Sequence, residues 1–208
     1  MSKVKRWGIF LGGILCQSFG VALVVKSSLG TSPISSVPYV FSLVAPLTFG
    51  QTTFIVNMIF LLGQIILLRR RFDRVQLLQI PATLIFSVLI DVAMFTLDPL
   101  VPQNYLCKFA VLSLGMIFVS LGVALQVIAN VLMLAGEAVV TAINRVTNTT
   151  FDRVKTFFDC SLVTIAVVWS YSVLGVVEGT REGTLISALF TGAVAGFFIP
   201  RLKIFLTK

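Results

Sequence analysis

The hexapeptide SFGVAL at residues 18–23 recurs as SLGVAL at residues 120–125, beginning 102 positions later. A six-residue motif that recurs with one substitution indicates that the chain contains two copies of one structural unit. The two units would cover residues 1–104 and 105–208. The rest of the sequence can be tested against this division.

Further matches keep the same order and nearly the same offset. At 102 positions Asn57 aligns with Asp159, and at 101 positions TLIFS at residues 83–87 aligns with TLISA at residues 184–188. One such match could arise by chance in apolar sequence, but a series in register predicts an internal repeat.

The composition is typical of a protein that lies within a membrane. Hydrophobic residues make up 57% of the 208 residues and charged residues only 12%, whereas about a quarter of the residues of a soluble domain are charged. Six apolar stretches are long enough to cross a bilayer. They lie at roughly 7–25, 51–68, 76–97, 108–132, 154–176 and 184–200. The sequence therefore predicts an all-α, polytopic membrane protein with six transmembrane helices.

The net charge of +8 follows the positive-inside rule rather than marking a nucleic-acid surface. With the N-terminus in the cytoplasm, only Lys26, Lys108 and Arg181 fall toward the outside. The inner face collects Lys3, Lys5, Arg6, Arg69, Arg70, Arg71, Arg74, Arg145, Arg153, Lys155, Arg201, Lys203 and Lys208. Both termini are therefore expected in the cytoplasm, and nucleic acid is not an expected partner.

Each predicted copy holds three spans, so the second copy would enter the membrane from the opposite side. Such inverted repeats place a binding site near the bilayer midplane, where the copies meet. After the first span of each copy comes an apolar stretch too short to cross, at about 32–46 and about 136–146. We expect these stretches to form half-helices that re-enter the membrane; two amphipathic helices on its surface are the alternative.

The starts of the two short stretches carry residues suited to helix N-termini. Ser32 is a good N-cap and Pro33 suits the first helical position, with Ser35 in the first turn. Gly136 and Glu137 open the second stretch. Glu137 is either a helix cap favoured by the dipole or a proton or cation site.

Two further acidic residues fall inside predicted spans, where ionisable groups indicate function by default. Asp159 follows Lys155 by four residues, which places both on one helix face as a structural ion pair or as part of a cavity lining. Asp91 is expected to be protonated, paired across the bundle or facing water. In the outer loop, Arg181 and Glu182 form either a gate or a solvated ion pair.

Several kinds of site are excluded by the sequence. The chain has no histidine, and its three cysteines are too scattered for a disulfide framework or a metal site. No nucleotide-binding loop and no nucleophile–base constellation is visible, so we expect neither an enzyme nor a cofactor. The GxxxG pairs Gly8–Gly12 and Gly192–Gly196 predict close helix packing, within the chain or across a homodimer.

Five motifs carry a resemblance to a known family: LGTSPISSVPY, FGQTTFIVN, LAGEAVVTAI, FDRVKTFFD and EGTREGT. The chain resembles the YczE/YitT-like group of bacterial integral membrane proteins over nearly its whole length. The resemblance implies a multi-pass protein of the bacterial plasma membrane and does not imply a function. The residues that match its motifs are Gly30, Ser32, Pro33, Asn57, Gly136, Glu137, Lys155, Asp159, Arg181, Glu182, Gly183 and Thr184.

These features favour a secondary-type transporter that moves a small polar or charged solute by alternating access. The expected substrate-binding residues are Ser32, Pro33, Ser35, Asn57, Gly136, Glu137, Lys155 and Asp159. The expected coupling or gating residues are Asp91, Arg181 and Glu182. Two alternatives remain: a substrate-binding membrane subunit of a larger importer, and an accessory or assembly protein that moves nothing.

Overall fold

The computed structural model describes residues 2–147, 149 and 151–206, so Lys208 of the predicted inner face lies outside the described residues. The described part is helical and contains no strand. Its α-helices are α1 (Lys3–Lys26), α2 (Pro33–Val44), α3 (Phe49–Leu68), α4 (Gln79–Thr96), α5 (Tyr105–Ala129), α6 (Ala135–Thr147), α7 (Phe151–Leu174) and α8 (Glu182–Leu206). Two 3₁₀ turns, Arg69–Arg71 and Arg74–Leu78, join α3 to α4.

Six of these helices, all except α2 and α6, are long and apolar enough to cross a membrane, which confirms the predicted class. The chain is therefore described as a multi-pass helical membrane protein. The short helices α2 and α6, of 12 and 13 residues, begin within one residue of the predicted half-helix positions.

The doubled phrase lies where α1 crosses α5. Gly13 faces Gly122 and Gly20 faces Gly115, so the two helices run antiparallel. A Cβ added at Gly20 would lie 2.5 Å from the Val119 nitrogen, and one at Gly122 would lie 2.6 Å from the Gly13 carbonyl oxygen. Only glycine permits this approach of two backbones, which explains why both copies keep it.

The GxxxG pairs behave differently from the glycines of this crossing. A Cβ added at Gly8, Gly12, Gly192 or Gly196 would meet nothing within 4 Å in the described part of the chain. These pairs therefore do not pack closely within the described part of the chain, and packing across a homodimer stays a prediction.

The remaining helices are arranged in matching pairs around this crossing. α4 packs on α1 as α8 packs on α5, and α2 packs on α7 as α3 packs on α6. These pairings are those that a two-fold relation between the copies produces. One pair departs from it, since α3 packs on α4 but α7 makes little contact with α8 among the described residues. Entry of the two copies from opposite sides stays a prediction.

The segment before α2 is buried against the start of α8. The Ser187 hydroxyl donates to the Thr31 carbonyl at 3.4 Å, and Thr31 is buried. One helical turn further along α8, the Thr191 carbonyl accepts from the Ser120 hydroxyl of α5. These bonds hold α8 between the segment before α2 and α5.

Candidate functional site

The N-termini of the two short helices meet inside the bundle. The Ile34 side chain of α2 lies against Gly136 of α6, where an added Cβ would be 3.0 Å from the Ile34 methyl group. The Gln64 amide donates to the Ala135 carbonyl at 3.3 Å and pairs with the Gln79 amide, and both glutamines are buried. These bonds anchor the start of α6 to α3 and α4.

Three charged side chains stand beside this junction. The Lys155 ammonium donates to both carboxylate oxygens of Asp159 at 2.6 Å. The side chains of Lys155 and Asp159 are 31% and 14% exposed, so the pair is largely withdrawn from solvent. Glu137 lies close enough to interact electrostatically with both. We call Glu137, Lys155 and Asp159 the charged triad; fully ionised, it carries a net charge of −1.

An apolar cluster from four helices packs around the junction. Its buried members are Val56, Phe60, Ala135, Val139, Val140, Val154 and Leu162. The rings of Phe60 and Phe158 pack edge to face with centroids 5.4 Å apart, which ties α3 to α7. Because little water reaches such surroundings, each charge of the triad depends on its partners for neutralisation.

The first turn of α2 differs in detail from the predicted capping. Ser32 occupies the N-cap position, but its hydroxyl donates to the Ser35 hydroxyl at 2.9 Å rather than accepting from the backbone. Pro33 holds the first helical position and is buried. The start of α2 thus points its partial positive charge at the junction without a side-chain cap.

Two predicted residues bond to groups other than the triad. Asp91 accepts from the Thr48 hydroxyl at 2.6 Å and from the Gly50 N–H at 2.7 Å, so it caps α3 from the neighbouring α4. This is pairing across the bundle, one of the three expected states. The buried Asn57 amide donates to the Thr53 carbonyl of its own helix.

The outer loop bonds to the segment before α2 as well as within itself, where the Thr184 N–H donates to the Arg181 carbonyl at 2.9 Å. Thr31 donates through its hydroxyl to the Gly179 carbonyl at 2.9 Å, and its N–H donates to the Thr184 hydroxyl at 3.2 Å. The Gly183 N–H donates to the Leu29 carbonyl at 2.8 Å. We call these bonds the outer clasp. They join the predicted first and second copies at the end of the bundle that holds Lys26.

Arg181 and Glu182 form no ion pair with one another among the described residues. Arg181 instead lines a cavity of about 120 Å³ at the outer end, together with Ser28, Tyr39 and Glu178. Glu182 lies exposed in the first turn of α8.

Sequence reasoning missed several residues of this region. Ile34, which joins the two short helices, carries no polar signal. Gln64 and Gln79 could have been found as amides inside or beside apolar spans, where an unpaired amide is costly. Thr31 and Glu178 lie in loops, and only the fold brings Thr31 to the outer loop.

Comparison with known proteins identifies a family but no function. Residues 4–200 match the model of a family described as being of unknown function. No curated protein and no solved structure matches the chain. The geometry of the junction therefore carries the functional argument.

Proposed function

The chain belongs to this family, DUF6198, and from its own geometry we propose that it is a secondary transporter for a small polar or charged solute. The observation that carries the proposal is the meeting of two helix N-termini, at Ile34 and Gly136, beside the charged triad. Because burying ionisable groups within a membrane is costly, such groups indicate a role in binding or coupling. Broken helices that meet near mid-depth are the usual frame of a transport site.

The chemistry of the junction favours a solute with both signs of charge. The starts of α2 and α6 attract an anionic group through their aligned peptide dipoles. Glu137 and Asp159 attract a cationic group, and Lys155 holds Asp159 until a solute competes for it. A proton or sodium ion could be coupled through either carboxylate. No enzymatic step and no cofactor is part of this proposal.

Alternating access supplies the movement. The outer clasp closes the path to the junction from the end that holds Lys26, so it would open when the site faces that side. The tightly packed crossing of α1 and α5 would serve as the pivot, since it cannot deform without backbone clashes.

We further propose a bacterial plasma membrane with both termini on the cytoplasmic side, following the basic residues and the resemblance to the YczE/YitT-like group. A homodimer through the open small-residue faces of α1 and α8 belongs to the same proposal. Only 11% of the apolar window of α8 is buried within the chain, so most of its surface is free for lipid or a second copy.

A ligand-dependent melting screen tests the transporter proposal first. Amino acids, organic acids, amines and nucleobases would be added to the purified protein at two pH values, with and without sodium. A ligand at a hundred times its dissociation constant adds about 2.7 kcal/mol to the stability of the folded form. Compounds that raise the melting temperature would then be tested for uptake into vesicles.

The variants for both assays are Glu137→Gln in the charged triad and Lys5→Gln on an exposed part of α1 as the matched control. The transporter proposal expects uptake by the wild type and Lys5→Gln and its loss in Glu137→Gln. Binding without uptake would favour the subunit of a larger importer. If no compound raises the melting temperature, and Glu137→Gln changes only the melting temperature of the ligand-free protein, an accessory or assembly protein is favoured.

A further inference from the structure

The cavity at the end of the bundle that holds Lys26 adjoins the outer clasp, since Gly179 lines the one and belongs to the other. Its wall is formed by the segment after α1, by Tyr39 of α2 and by residues 178–181 of the outer loop. Its floor includes Gly30, which adopts φ 130° and precedes the clasp residue Thr31. A solute in the cavity would therefore rest against the bonds that must open before it can pass inward.

Two opposite charges line this one cavity without neutralising each other. Glu178 and Arg181 form no ion pair and no side-chain hydrogen bond with the described part of the chain. Glu178 is only partly exposed and lies close enough to Tyr39 to act on its hydroxyl electrostatically. Loop residues three apart would be free to pair, so their separation on one wall leaves a place for a ligand that meets both.

The backbone of the loop is built to keep this shape. Gly179 adopts φ 74°, and an added Cβ would lie 2.6 Å from the Tyr39 ring. The Glu178 N–H is held by the Ser170 hydroxyl of α7 at 2.8 Å. The Glu178 end of the charged wall is thus held by α7 and packed against α2.

We propose that this outer cavity is a first binding site for a small zwitterion, with the ligand carboxylate on Arg181 and its ammonium group between Glu178 and Tyr39. The volume of about 120 Å³ limits the ligand to a few non-hydrogen atoms, since pockets for drug-sized ligands measure about 300–1,000 Å³. The inference deepens the proposed transport function by naming the class of solute, but binding at this site needs no transport.

Three related probes separate the charge requirements: alanine, propionate, which lacks the ammonium group of alanine, and ethylamine, which lacks its carboxylate. Binding to the purified full chain would be measured by isothermal titration, with the ligand-free melting temperature showing that each variant is folded. The variants are Arg181→Gln and Glu178→Gln in the cavity, Lys108→Gln as a cation outside it, and Glu137→Gln at the junction. Uptake of labelled alanine into vesicles forms a separate arm.

We expect alanine to bind at least tenfold more tightly than propionate or ethylamine. Each cavity variant should weaken alanine binding at least tenfold, and Lys108→Gln should retain it. The inference is overturned by absence of alanine binding, by equal binding of propionate, or by loss in Glu137→Gln with retention in both cavity variants. Retained binding with no uptake would instead count against transport and leave the outer site standing.

Discussion

At the scale of single residues, charges inside the bundle are kept in place by specific partners rather than by solvent. Asp91 holds the start of α3, and Asp159 holds Lys155 one turn away. In the sequence both carboxylates fall inside predicted spans. The structure separates them, because Asp91 has its oxygens occupied by a hydroxyl and a backbone N–H, while Asp159 belongs to a group with an excess negative charge.

Removal of Lys155 should destabilise the protein more than removal of the whole ion pair. Lys155→Gln leaves Asp159 and Glu137 facing each other without a cation, and we expect a loss of about 1–3 kcal/mol. The expected loss is smaller than the ~3–5 kcal/mol that follows removal of one partner from a fully buried ion pair, because the Lys155 side chain is 31% exposed. The melting temperatures of Lys155→Gln, Asp159→Asn and the double variant test this prediction. A double variant as unstable as the sum of the single ones would contradict the coupling.

A second residue-scale prediction concerns acid stability outside the spans. The hydrogen bond and charge of Lys26 lower the pKa of Asp98 from its ordinary value of 3.8. Because the folded pKa is the lower one, the pair stabilises the fold above about pH 3.8, and this contribution is lost as the pH falls through the folded pKa.

The effect will be small because Asp98 is exposed. Asp98→Asn should melt slightly below the wild type near pH 6, and the two should converge at a pH below the folded pKa. Melting curves across this range measure the difference. In a Lys26→Gln background, Asp98→Asn should not change the melting temperature. A change that persisted in this background would mean that a group other than Lys26 lowers the pKa of Asp98.

At the scale of elements, the crossing of α1 and α5 and the open faces of α1 provide a matched pair of glycines on one helix. Gly20 is enclosed by the α5 backbone, whereas Gly12 has nothing within 4 Å of an added Cβ. Replacement of glycine by alanine should therefore lower the stability of the fold at Gly20 but not at Gly12, eight residues earlier.

Gly20→Ala should destabilise the fold by at least about 1–3 kcal/mol, since its new methyl group would press on the Val119 nitrogen. Gly12→Ala should be neutral or stabilising by up to about 1 kcal/mol, the gain in helix propensity. Melting temperatures of the two variants decide the matter. Equal losses would mean that Gly12 is covered by a partner, as in the proposed homodimer.

At the scale of the whole molecule, the fold places the first and last described helices with their free ends at one end of the bundle. α8 starts beside Leu29, just beyond the end of α1 at Lys26, and its Thr191 then bonds to Ser120 of α5, where α5 crosses α1. It therefore returns toward the level of Lys3. With the 3₁₀ turns at Arg69–Arg71 on the same side, this arrangement accounts for the gathering of the basic residues.

Thiol labelling tests this arrangement in a chain whose native Cys16, Cys107 and Cys160 have been replaced. Single cysteines at Lys5, Arg74 and Lys203 should react with an impermeant maleimide only from the cytoplasmic side, and one at Gln103 only from outside. Labelling of right-side-out vesicles reports the outer side, and labelling of inverted vesicles reports the cytoplasmic side. Labelling of the Lys5 and Lys203 positions from opposite sides would rule out an even number of crossings.

By itself the sequence determined the features that depend on residues close together in the chain. Apolar runs of about 20 residues fix the spans, and the repeat offset and turn residues located α2 and α6. The pairing of Lys155 with Asp159 also follows from helical periodicity. Each of these depends on length, hydropathy or spacing, which the linear sequence states directly.

The tertiary structure alone decided which helices meet and therefore what the polar residues do. It placed Glu137 beside Lys155, turned Asp91 into a helix cap, and brought the outer loop against Thr31. The physical reason is that lipid and protein interior are equally apolar, so hydropathy does not tell which face of a span meets a neighbour. That choice is made by close backbone packing and by partners for buried polar groups, and both exist only once the helices are assembled.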